Sequence, residues 1–121
     1  STVPYGVYGE TRARLSKLLT EEVAATGAKF LAATLRQRGG QPLVLAASAG
    51  APVAFKELCL GLAEAPHDGG LRELEVDGLG RVMWQAPTSV LAGQGEVLIF
   101  ALHDTGRLTR TIALVDRLLA N

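Results

Sequence analysis

The chain has 121 residues, 48% of them hydrophobic and 20% charged, which suits one globular domain with its own core and argues against a disordered segment. Lys and Arg number 12 and Asp and Glu number 12, so the net charge is zero. That balance argues against a nucleic-acid binder or a protein held to an anionic membrane, both of which need a basic excess. A single cysteine, Cys59, forbids an internal disulfide, and two histidines far from it make no metal set. A reducing, cytoplasmic setting is the expectation, with no metal or cofactor. No apolar run is long enough to cross a bilayer.

Residues 1–9 hold Pro4, Gly6 and Gly9 with two tyrosines, and they read as an extended arm whose Tyr5 and Tyr8 pack on the domain. The arm has neither a basic n-region nor an apolar h-region, so no signal peptide is expected there. Residues 10–121 read as one domain. Its first helix is predicted from Glu10 to Thr26. Leu15, Leu18, Leu19 and Val23 make its apolar stripe, Arg12, Arg14, Lys17, Glu21 and Glu22 lie mostly on the other side, and Gly27 is the stop. Ala28 to Arg36 reads as a strand covered on both faces, because nearly every position is apolar. Gly39 and Gly40 turn the chain into a second strand, Leu43 to Ser48, which Pro42 opens.

A second helix is predicted from Ala51 to Ala65, with Pro52 in its first turn. Phe55, Leu58, Cys59 and Leu62 form its core stripe. Val53 and Leu60 fall on the opposite side among Lys56, Glu57 and Glu64, and Ala54, Gly61 and Ala65 add a small-residue flank. A helix that is apolar on more than one side is either buried twice or used as an interface. The third strand, Leu71 to Asp77, alternates. Arg72, Leu74 and Val76 share one face, and Glu73, Glu75 and Asp77 share the other. A hairpin turn bracketed by Gly78 and Gly80 leads to the fourth strand, Arg81 to Ala86, with Met83 and Trp84. The fifth, Gly95 to Leu102, is the most apolar run and is expected to be central. The last helix carries Leu108, Ile112, Val115 and Leu119 in one stripe, with Asp104 or Thr105 as its cap.

The order is therefore helix, strand, strand, helix, strand, strand, strand, helix. It predicts an α+β fold with a five-stranded antiparallel sheet and helices on both faces. No motif for catalysis accompanies it, and an enzyme is not expected. His103 and Asp104 are adjacent, but Ser48 and Ser89 are candidate nucleophiles only by residue type, and neither sits in a Gly-x-Ser-x-Gly elbow. The glycine pairs lack the Lys and Ser/Thr of a phosphate loop. Cys59, on a core stripe, reads as inert. Arg107, Arg110 and Arg117 read as a solvated face of the last helix.

Three stretches carry a family resemblance: "PLVLAASAG" before the second helix, "LRELEVDGLGRVMWQAP" across the third and fourth strands, and "VLIFALHDTGRLTRTIALVDRLL" into the last helix. Together with the element order they resemble the roadblock family of dynein light chains and small-GTPase regulators, over about residues 10 to 120. The resemblance implies a profilin-like sheet with the middle helix on one face and the terminal helices on the other. It implies a homodimer, or a pair with a similar chain, whose third strands meet edge to edge and whose middle helices lie side by side. In bacteria and archaea such proteins bind or regulate Ras-like GTPases. The family's dimer and partner helix maps onto Ala51 to Ala65.

On that footing the chain is expected to be a cytoplasmic, non-catalytic homodimeric adaptor that binds a Ras-like small GTPase and biases its nucleotide state. The expected interface comprises Val53, Ala54, Lys56, Glu57, Leu60, Gly61, Glu64, Arg72, Leu74 and Val76. Glu73 and Glu75 suit an edge strand only if they face water or a basic neighbour. The competing expectation is a small-molecule sensor of the GAF or PAS type, with a pocket between sheet and helix lined by Trp84, Phe100 and Leu58.

Overall fold

The computed structural model describes residues 5–37, 39–87, 95–103 and 107–120, with side chains from Gly9 onward. Helix α1 spans Tyr5–Thr26, strand β1 Phe30–Arg36 and β2 Pro42–Ala47. Helix α2 (Val53–Ala63) follows, then β3 (Arg72–Val76), β4 (Gly80–Gln85), β5 (Glu96–Leu102) and α3 (Leu108–Ala120). The strands form one antiparallel sheet in the order β2-β1-β5-β4-β3. This is the α+β order read from the sequence, with each strand end within about two residues of expectation.

The most apolar runs take the centre. β1 and β5 pair along their whole length, from Phe30 opposite Leu102 to Arg36 opposite Glu96. Their interior residues are buried on both faces because helices cover both. On one face Leu31, Leu35, Val97 and Ile99 pack with Leu15 and Leu19 of α1 and Ile112 and Val115 of α3. On the other, Ala32, Leu98, Phe100 and Val82 pack with Phe55, Cys59 and Ala63 of α2. Two helices therefore lie on one face and one on the other.

The first helix departs from the sequence reading at both ends of its logic. Residues 5–9, expected to be extended, are the first turns of α1. Gly6 and Gly9 do not break it, since a helical glycine costs only about 1 kcal/mol relative to alanine. Residues 1–4, and the packing expected of the Tyr5 and Tyr8 side chains, lie outside the described residues. The buried stripe also runs differently. It passes Leu15, Leu19, Glu22 and Thr26, all buried, while Val23 is only half-buried. Gly27, with φ of 80°, closes the helix by donating its amide to the Val23 carbonyl at 3.1 Å.

Glu22 is buried because it locks two helices together. Its carboxylate accepts from Arg110 Nε at 3.3 Å and from the buried Thr111 hydroxyl at 3.0 Å. The side chain of Glu22 is 5% exposed and that of Arg110 is 59% exposed. Arg110→Ala should therefore lower stability by about 2 kcal/mol, less than a fully buried pair would lose, because water can reach the vacated position. Glu22→Gln, which keeps an acceptor for Thr111, should cost about half of that. Urea unfolding of both variants checks the order; an Arg110→Ala midpoint equal to wild type would contradict the lock.

The second helix is shorter than expected. Pro52 is its N-cap, in extended backbone with φ −67° and ψ 151°, and it supplies no side-chain acceptor. At the other end the Glu64 amide bonds the Gly61 carbonyl at 3.4 Å, and the Glu64 carbonyl accepts from Arg36 of β1 at 2.7 Å. The buried stripe is Phe55, Cys59 and Ala63. Leu58 and Leu62, expected within that stripe, are half-buried beside it. The expected caps of α3, Asp104 and Thr105, lie outside the described residues.

Candidate interaction surface

A five-stranded sheet has two edges, and here they are treated differently. The β2 edge is bulged where Ala33 and Thr34 of β1 face Ala46 and Val44, leaving Leu45 without a partner in the register. Arg12 of α1 reaches onto it. Its Nε donates to the Leu45 carbonyl at 2.9 Å and its Nη2 to the Val44 carbonyl at 3.1 Å. Bulges and charges on an edge oppose pairing with another chain.

The β3 edge is charged, with Arg72, Glu73 and Glu75, but its register with β4 has no bulge. Strand β3 pairs with β4 on one side and, among the described residues, has no strand on the other. Arg72, Leu74 and Val76 stand opposite Trp84, Val82 and Gly80, which puts them on the α2 face of the sheet. Leu74 is 43% exposed and the preceding Leu71 is 54% exposed. Glu73 and Glu75 stand opposite Met83 and Arg81 on the other face, both exposed, with Glu73 at 3.9 Å from the Arg81 guanidinium. Water and a basic neighbour are the two conditions the sequence reading set for those carboxylates.

The α2 residues divide. Ala54, Glu57, Gly61 and Glu64 are exposed, and Leu60 is half-buried. Val53, 65% exposed, and half-buried Lys56 turn instead toward β2, where with Arg12 and Val44 they line a groove of about 530 Å³. The ten residues expected as one interface thus all lie on the α2 face of the sheet, but toward opposite edges of it. Arg72, Leu74 and Val76 stand at one edge, while Val53 and Lys56 occupy the flank toward the other.

Groups with the chemistry for other roles are occupied by the fold. The Ser48 hydroxyl, buried, accepts the Leu31 amide at 3.0 Å, and its backbone amide donates to the Leu31 carbonyl at 2.8 Å. His103 has a φ of 56°, and its Nε2 donates to the Leu79 carbonyl at 3.0 Å. Its ring lies where a side chain at Gly80 would stand, so the hairpin requires glycine there. Burial pushes the Cys59 thiol well above its usual range, which keeps it protonated and unreactive. Asp104, Thr105 and Ser89 lie outside the described residues. No group of three or more potential metal ligands occurs among the described residues, and no described helix is long and apolar enough to cross a membrane.

Trp84 and Phe100, expected to line a sensor pocket, stack at a ring-centre distance of 5.8 Å and an angle of 20°. Both are buried, and Leu58 packs against the same cluster.

Arg12, which shapes the β2 edge, and Glu22, which ties α1 to α3, escape the sequence reading. Arg12 and Glu22 were grouped with the polar side of α1. Their spacing placed them otherwise, since Arg12 precedes Leu15 by three and Glu22 follows Leu19 by three. A charged residue on an apolar register is the signal for a buried ion pair or a backbone clamp.

No protein-family model and no curated protein matches the chain. Among solved structures, a domain of a two-component sensor histidine kinase protein from Sinorhizobium meliloti 1021 is similar, at 12% identity and a TM-score of 0.49. The alignment covers 100% of this chain and 88% of that one. A likeness so distant carries no argument about activity.

Proposed function

We propose that the chain is a non-catalytic homodimeric adaptor of the roadblock type, which binds a Ras-like small GTPase and biases its nucleotide state. The asymmetry of the sheet edges carries the proposal. Arg12 covers the carbonyls of β2, whereas β3 offers a free edge beside exposed Leu71 and Leu74. An uncovered edge with apolar neighbours is a template for pairing. Joined there, two copies would continue the sheet and bring their α2 helices onto one face. Element order and helix placement agree with what the resemblance implies, which supports the reading further.

The mechanism is one of population shift. The paired α2 helices offer Glu57, Leu60, Gly61 and Glu64 as a platform. A GTPase alternates between switch-loop conformations, and a platform that binds one tenfold more tightly shifts the balance by about 1.4 kcal/mol. No group of this chain enters the chemistry.

Binding of the wild-type dimer to a Ras-like GTPase from the same cells, loaded with GDP or with a slowly hydrolysed GTP analogue, tests this. One nucleotide state should be captured at least tenfold more tightly. The double reversal Glu57→Arg with Glu64→Arg should lose that capture while remaining folded and dimeric. Equal or no binding in both states would contradict the proposal, and saturable binding of a small metabolite in their place would favour the sensor reading.

A further inference from the structure

The groove at the other edge of the sheet is unused by that reading. It runs beside β2, between Arg12 and Ser16 of α1 on one wall and Val53 and Lys56 of α2 on the other. Its volume of about 530 Å³ falls within the range of ~300–1,000 Å³ found for ligand sites. Val44, Ala46 and Ala47 form the floor. Its chemistry is of one sign, for the lining holds two cations and no carboxylate.

Neither cation has an ion pair among the described residues. Arg12 spends Nε and one Nη2 hydrogen on neutral carbonyls of β2, out of the five donors a guanidinium has. An apolar strip between two such cations suits an apolar side chain flanked by carboxylates. Charge-assisted bonds to both walls would fix its register.

We infer that this groove docks an extended acidic segment of a partner protein, with an apolar side chain on Val44 and Val53 and carboxylates on Arg12 and Lys56. The segment is held by its side chains. Continuous strand addition is blocked, because Arg12 occupies the carbonyls of Val44 and Leu45 and the bulge breaks the ladder there. A second copy's β3, with Glu73 and Glu75 around Leu74, has similar chemistry, but the proposed dimer already uses it. The inference stands apart from the GTPase reading, since the groove lies on the flank of α2 turned away from β3.

The test is a titration of the ¹⁵N-labelled full chain with the capped peptide Glu-Leu-Glu-Leu-Glu, read by amide chemical shifts. Saturable shifts confined to residues 12–16, 44–47 and 53–56, half-complete below about 1 mM, are expected. Lys56→Glu and, separately, Val53→Asp should weaken binding at least tenfold, with spectra that confirm both remain folded. A peptide with lysine in place of glutamate should not bind. The double reversal at Glu57 and Glu64 should leave peptide binding intact, which separates this site from the GTPase platform. Absence of shifts, shifts elsewhere, or indifference to Lys56→Glu would overturn the inference. Assembly of the free protein beyond a dimer that Lys56→Glu abolishes would also overturn it, by assigning the groove to a second copy.

Discussion

Truncation of Phe100 to alanine should destabilise the domain by about 3–5 kcal/mol, the cost of deleting a fully buried aromatic and leaving its cavity. Phe100 is 0% exposed and sits in the central strand opposite Ala32 and Trp84. Its ring stacks on Trp84, so the change removes an aromatic pair worth a further fraction of a kcal/mol beyond its area. A typical domain has only about 5–15 kcal/mol in total. The variant should therefore unfold at a much lower urea concentration, with the single tryptophan as the reporter. Phe100→Leu, which keeps most of the volume, should cost about 1.5 kcal/mol or less. A Phe100→Ala loss below about 1 kcal/mol would mean that the cluster under α2 relaxes around the gap, as looser cores do.

Leu74→Lys should abolish the proposed dimer while leaving the fold intact. Leu74 is the middle residue of the five in β3. Two β3 strands paired antiparallel about their centres would set the two position-74 side chains close together. Lysine there would bury unpaired charge and oppose it to its own copy, at a cost of roughly 3–5 kcal/mol. That weakens association by a factor of about 10² to 10³·⁵. In the monomer the position is 43% exposed, so the unfolding transition of the isolated chain should hardly move. Sedimentation at several concentrations separates the two effects. A dimer that survives Leu74→Lys would place the interface away from β3.

Much of the fold was legible because its signals are local. The unbroken apolar runs of β1 and β5 marked strands covered on both faces, and the alternation of β3 separated Arg72, Leu74 and Val76 from Glu73, Glu75 and Asp77. What the sequence hid depended on contacts between distant residues. Nothing local says that Arg12 reaches 32 residues along the chain to the Val44 carbonyl, or that Glu22 meets Arg110. The two edge strands differ as strings, apolar in β2 and mostly charged in β3, but neither string says that Arg12 clamps the first. Similarly, the outer residues of α2 read as one face, while the structure turns Val53 and Lys56 toward β2. Helical spacing gives an angle around the axis but not which neighbour fills it. The glycines of the first turns of α1 misled for the opposite reason. Their local preference was outweighed by the helix they belong to.

The proposed adaptor works only as a dimer, and the mass of the wild-type chain in solution tests that most directly. Light scattering at tens of micromolar should give twice the 12.7 kDa of the single chain, with Leu74→Lys returning it to one chain. A wild-type mass of 12.7 kDa at that concentration would contradict the dimer, and with it the paired α2 platform on which the adaptor reading depends.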